Sequence, residues 1–163
     1  MTERALPDCH RLIDVQLDER TVVRRSADIE HELKVAMFDL IEQNSFSPVG
    51  AHDTQGPFQL SIGIADNRLV FDISDEAAAP LGKIILALSP FRKIVKDYFE
   101  ICDSYYQAIK RSSPSQIETI DMARRGIHNE GSELLRERLK GKIDCDFDTA
   151  RRLFTVICVL HIR

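Results

Sequence analysis

The run Met122-Ala123-Arg124-Arg125-Gly126-Ile127-His128-Asn129-Glu130-Gly131-Ser132-Glu133-Leu134-Leu135 gathers two guanidinium groups, an imidazole, an amide and two carboxylates. Two chemistries use such a set. Guanidinium forks and an imidazole hold phosphate or carboxylate through charge-assisted hydrogen bonds. A histidine beside a carboxylate transfers protons. Gly126 reads as the end of one helix and Asn129 as the cap of the next. The free N–H groups at that second helix start would strengthen an anion site. The candidate ligand-binding residues are therefore Arg124, Arg125, His128, Asn129 and Glu130.

The same residues also have a purely structural reading. Gly126 stops a helix, Asn129 caps the next, Glu130 and Glu133 sit in its favourable first turn, and the arginines pair with them. That reading explains more of the stretch. It leaves the clustering of Arg124, Arg125 and His128 without a reason. Acid–base catalysis by His128 with Glu130 is the weakest option, because residues two apart on a helix do not face each other. No catalytic residue is assigned.

Other chemistries find little in the chain. Cys9 and His10 are adjacent, and His31, His52, His128 and His161 are scattered, so no zinc-ligand spacing appears. There is no Gly-x-Ser-x-Gly elbow. Gly50 to Gly56 lacks the Gly-Lys-Ser/Thr of a phosphate loop. Neither a metal nor a cofactor is expected.

The elements that would carry these groups can be read in order. Ile13 to Asp18 alternates as a half-buried strand. Ser26 caps a helix with Ile29, Leu33, Ala36, Met37, Leu40 and Ile41 on one face, ending near Asn44. Phe46 to Val49 is a short edge strand, followed by a loop over 50–57. Phe58 to Ile64 and Leu69 to Ile73 alternate as strands joined by a tight hairpin at Ala65-Asp66-Asn67-Arg68. Leu81 to Leu88 completes a meander. Ser89-Pro90 and Ser113-Pro114 both read as a cap followed by proline at the first helical position. The first is expected to open the longest amphipathic helix, to Ile109. The second opens a helix to Gly126, and a third helix runs past the bend to Lys140. Lys142 to Phe147 is extended. Asp146 or Asp148 caps a last helix, preferred over a strand for 153–160. Strands followed by helices give an α+β class: a small antiparallel meander packed against a C-terminal helical half.

The 163 residues, 44% apolar and 29% charged, suit one α+β domain over 1–163 with a flexible start at 1–10. The four cysteines form no Cys-x-x-Cys pair and read as reduced, core-filling thiols. No secretion signal or bilayer-length run is seen, so a soluble, cytoplasmic protein without a membrane partner is expected. Net charge is −4, which argues against nucleic acid as a partner. The charge is uneven: residues 1–109 carry −7 and residues 110–163 carry +3. Two short helices around the bend at 115–140, with Arg136, Arg138 and Lys140, also suggest a DNA-binding helix-turn-helix, opposed by Glu130, Glu133 and Glu137.

The segments Asn67 to Ile73, Ser89 to Ile109, Ser113 to Leu139 with His128-Asn129-Glu130-Gly131-Ser132-Glu133-Leu134-Leu135, and Asp146 to His161 resemble an uncharacterised protein family of alphaproteobacteria. The resemblance covers nearly the whole chain from Arg11 onward. It implies a small cytoplasmic bacterial protein and supplies no activity or site residues. The leading expectation is a non-enzymatic binding or regulatory domain that takes a protein partner or a small anionic ligand at the bend. The alternatives are an enzyme acting on an anionic small molecule through 124–131, and a nucleic-acid-associated regulator using 115–142.

Overall fold

The computed structural model describes residues 7–18, 26–52 and 55–160. Its elements run β1 (Leu12–Leu17), α1 (Ala27–Glu42), β2 (Phe46–Pro48), β3 (Phe58–Ala65), β4 (Arg68–Asp75), β5 (Pro80–Ala87), α2 (Ser89–Arg111), α3 (Pro114–Leu139), β6 (Ile143–Cys145) and α4 (Phe147–Cys158). The α+β class holds.

The hairpin between β3 and β4 closes on the pair Ala65 and Arg68. Asp66 and Asn67 take φ of 52° and 60° between them. These are two of the non-glycine types that best tolerate the left-handed region, and two such residues give the turn whose twist matches the flanking strands. The meander β3–β4–β5 is antiparallel as expected, but the sheet as a whole is mixed. β1 pairs in parallel with β3 at its free edge, giving the order β1-β3-β4-β5. The chain between them carries α1, and a helical crossover returns a strand in the parallel sense. β2 and β6 form a separate antiparallel pair.

Leu60, Ile62, Leu69, Phe71 and Ile73 point from one sheet face into the same core as Phe91, Val95, Leu135, Leu153 and Phe154 from the helices. Phe46, Phe58, Phe71, Phe91 and Phe154 are fully buried. Cys102 and Cys158 are buried, Cys9 and Cys145 half-buried, and none of the four is in a disulfide. Among the residues expected to be a flexible start, His10 is buried and its Nε2 donates to the His52 carbonyl at 2.8 Å.

Side-chain bonds lock α1 against α4. Asn44 brackets Leu12, accepting from its N–H at 2.7 Å and donating to its carbonyl at 2.9 Å. The Ser45 N–H donates to Oγ1 of the buried Thr149 at 3.0 Å, and Arg152 donates to the Gln43 carbonyl at 2.6 Å. Asp146 caps α4 by accepting from the Thr149 N–H at 2.8 Å. The last segment is thus a helix through Cys158, while His161 lies outside the described residues. Ser113 caps α3 in a reciprocal box with Gln116. Ser89 does not repeat that device. Leu88 sinks into the core and takes the cap position, which leaves Ser89 as an exposed first helical residue.

Candidate functional site

The bend expected at 126–131 is absent. Residues 114–139 form one helix of 26 residues, longer than the 23 of α2. A glycine inside a helix costs only about 1 kcal/mol relative to alanine. Here that cost is outweighed by the inner stripe His128, Gly131, Ser132, Leu135 and Leu139, which stays in register only if the helix runs straight through. Gly131 is needed for close approach, not for a turn: an added β-carbon would collide with the Phe154 ring. Asn129 is accordingly not a cap. The N–H groups of this stretch lie in a helix interior, so they offer no helix-start anion site. The two-helix arrangement that suggested a helix-turn-helix is also gone.

What the straight helix does is place Arg124 and His128 one turn apart on one face, with Arg125 beside them. These three line an open cleft of about 640 Å³ between α1, α3 and α4. The α1 wall supplies His31, Glu32, Val35, Ala36 and Asp39, and the α4 wall supplies Asp148, Arg151, Arg152 and Thr155. Tyr98 of α2 completes the lining. Asn129 and Glu130 are not part of it. Asn129 keeps a buried Oδ1 without a hydrogen-bond partner. Glu130 is exposed and turned toward α2, where it acts after Asp97 in raising the pKa of Lys93. The His128–Glu130 pair therefore does not form.

The charges in the cleft are unequally engaged. Arg124 is saturated: it meets Asp121 at 2.7 Å and Glu32 at 3.1 Å, and its guanidinium lies 4.3 Å from the centre of the Tyr105 ring. It ties α1, α2 and α3 together. Its hydrogen bond holds the Asp121 carboxyl below the usual range, against the opposing effect of desolvation. Arg125 shares Asp121 at 2.8 Å but is 69% exposed at the rim. Arg151 differs from both. Among the described residues it has no ion pair, and its Nε is enclosed without a hydrogen-bond partner.

His128 packs between Tyr98 and Phe154, with ring centroids 5.3 Å from each. Its Nε2 lies 2.7 Å from Thr155 Oγ1, and that hydroxyl donates to the Arg151 carbonyl at 3.3 Å. A hydroxyl has one hydrogen, so when Thr155 spends it on that carbonyl the imidazole is the donor to Thr155. That arrangement has the Nε2–H tautomer, and Nδ1 is buried with no partner. Burial, then Arg151 and Arg124, push the His128 pKa down to about 4, so the ring is neutral at pH 7.

Sequence reasoning found the α3 half of this cleft and missed Glu32, Asp39, Tyr98, Arg151 and Thr155. Thr155 was visible only as a polar interruption of the apolar tail. The Arg151-Arg152 doublet was visible only as the approach to that tail. Read on a helix, Arg151 and Thr155 are an i,i+4 pair matching Arg124 and His128, and that periodicity was the available signal. Among the described residues no helix is long and apolar enough to cross a membrane, and none form a group of three or more potential metal ligands.

A family model described as an uncharacterised protein family, UPF0262, matches residues 9–163. A UPF0262 protein of Rhodospirillum rubrum is 59% identical over 100% of this chain and 99% of its own length. One from Paramagnetospirillum magneticum is 60% identical over 97% of this chain and 99% of its own. One from Brucella anthropi is 56% identical over 98% of each. No solved structure matches the chain.

Proposed function

The chain belongs to the uncharacterised protein family UPF0262, and on that premise we propose that it is a non-enzymatic binding domain whose ligand is a small anion held in the α1–α3–α4 cleft. The observation that carries this reading is Arg151. It is a guanidinium on a cleft wall, with no carboxylate partner among the described residues, beside an imidazole kept neutral. An enclosed N–H without an acceptor is costly unless a ligand supplies one. A phosphate or carboxylate on Arg151 supplies it, with Arg125 at the rim as a second clamp, since Arg125 meets one carboxylate through one amino group and is otherwise exposed. Arg124 serves the architecture, since its carboxylate partners already occupy it.

A thermal-shift screen of the full chain against phosphorylated and carboxylated metabolites tests this. A ligand at a hundred times its Kd stabilises by about 2.7 kcal/mol. For a chain of this size that raises the midpoint by roughly 5–11 °C. Arg151→Ala is expected to abolish the response and Arg125→Ala to weaken it. An unchanged response in Arg151→Ala would remove the anion from this cleft.

One observation favours a protein partner as a second reading. Val35 and Phe38, one turn apart on α1, are 45% and 65% exposed, and Val35 is itself part of the cleft wall. Phe38→Ser would weaken such a partner while leaving the anion response intact.

A further inference from the structure

The cleft also holds two carboxylates outside any ion pair among the described residues, opposite in sign to Arg151. Asp39 on α1 and Asp148 at the start of α4 both line it. Glu32, the remaining lining carboxylate, is taken by Arg124. Neither Asp39 nor Asp148 forms an ion pair among the described residues, although Arg125, Arg151 and Arg152 share the same walls. Arg125 is held by Asp121, and Arg152 is turned to the Gln43 carbonyl. Unpaired charges of both signs therefore face one space of about 640 Å³, large enough for a small metabolite.

A simple anion satisfies Arg151 and brings its charge toward two carboxylates. A ligand with an anionic group and an ammonium group satisfies both sets. Val35, Ala36 and Tyr98 give such a ligand an apolar surface for the short carbon chain between its charges. We propose that the cleft takes a zwitterion: a phosphate or carboxylate on Arg151 and Arg125, joined by a short carbon chain to an amine that faces Asp39 and Asp148. This rests on the anion site proposed above and narrows the ligand to an amine-bearing class.

Calorimetric titration of the full chain at low ionic strength tests the two readings separately. The probes are two matched pairs: inorganic phosphate with O-phosphoethanolamine, and propionate with β-alanine. The expected result is that the amine-bearing member of at least one pair binds tenfold or more tightly than its plain anion. In Asp39→Asn/Asp148→Asn, checked for an unchanged circular dichroism spectrum, that advantage should fall to within about twofold while the plain anion keeps its affinity or gains. Arg151→Ala should lose both members. If plain anions bind and the amine adds nothing, the zwitterion is wrong and the anion site stands. If none of the four probes binds, the anion site fails and this inference falls with it. If the amine's advantage persists in the double variant, the amine does not face Asp39 and Asp148, and the assignment is overturned.

Discussion

The ring of Phe154 fills the space into which Gly131 would project a β-carbon, so α3 and α4 approach each other at a point only glycine permits. Phe154 is fully buried and lies against Tyr98 and His128, so it cannot swing away. Gly131→Ala is expected to destabilise by about 1–3 kcal/mol through overpacking. Gly126 is helical too, but nothing lies within 4 Å of its added β-carbon. Gly126→Ala should stabilise by up to about 1 kcal/mol. Urea unfolding of the two variants distinguishes a straight helix from a bend. A bend needing φ > 0 at Gly126 would make that substitution destabilising.

That pair also marks where the sequence was legible. Local signals transferred well. The Asp66-Asn67 turn, the Ser26 and Ser113 caps and the alternation of Phe58 to Ile64 each depend on neighbours within a few residues. The bend failed because a glycine is locally ambiguous. Gly131 serves a residue 23 positions away, and no local pattern carries that information. The parallel partner of β1 was hidden for the same reason. The cleft was half visible: Arg124, Arg125 and His128 are neighbours in sequence, whereas Glu32, Asp39 and Arg151 join them only through packing of α1 and α4.

Arg124 joins three helices, and its loss should be felt in stability before binding. Its side chain is 21% exposed and its partners Glu32 and Asp121 are 27% and 17% exposed. Arg124→Ala leaves Glu32 without its cation and Asp121 with only the exposed Arg125, and it removes the stack on Tyr105. A cost of about 1–3 kcal/mol is expected, typical of hydrogen bonds to charged groups. Arg124→Lys keeps the charge but not the fork that reaches both acids, so it should recover only part. Chemical denaturation measures both, and a cost below about 0.5 kcal/mol for Arg124→Ala would mean the network is no more than a surface ion pair.

His128 gives stability a pH dependence of known sign. Its folded pKa is about 4, below the ordinary value near 6.5 expected when unfolded. Between those values the unfolded chain binds the extra proton, so stability rises with pH. The contribution is complete above about pH 6.5 and is lost as pH falls through that window toward 4. The slope from this one group is at most about 1.4 kcal/mol per pH unit. Denaturation midpoints from pH 4 to 7 should flatten in His128→Asn relative to the parent chain. An imidazole resonance titrating near 6.5 in the native protein would contradict the enclosure of the ring.

The two Ser-Pro helix starts provide the last test, because they look alike in sequence and differ in structure. Ser113 accepts from the Gln116 N–H at 3.3 Å, and Gln116 Oε1 accepts in return from the Ser113 N–H at 3.2 Å. Ser113→Ala removes one half of that box and should cost about 1 kcal/mol. Ser89 makes no capping bond, since the buried Leu88 holds the cap position. Ser89→Ala should stay within about 0.5 kcal/mol of the parent, as exposed substitutions away from such features do. Leu88→Ala, by contrast, empties a core position and should cost about 2–5 kcal/mol. Parallel unfolding curves for the three variants rank them. Equal losses for Ser113→Ala and Ser89→Ala would mean that α2 begins with a serine cap after all and that Leu88 does not set its entry.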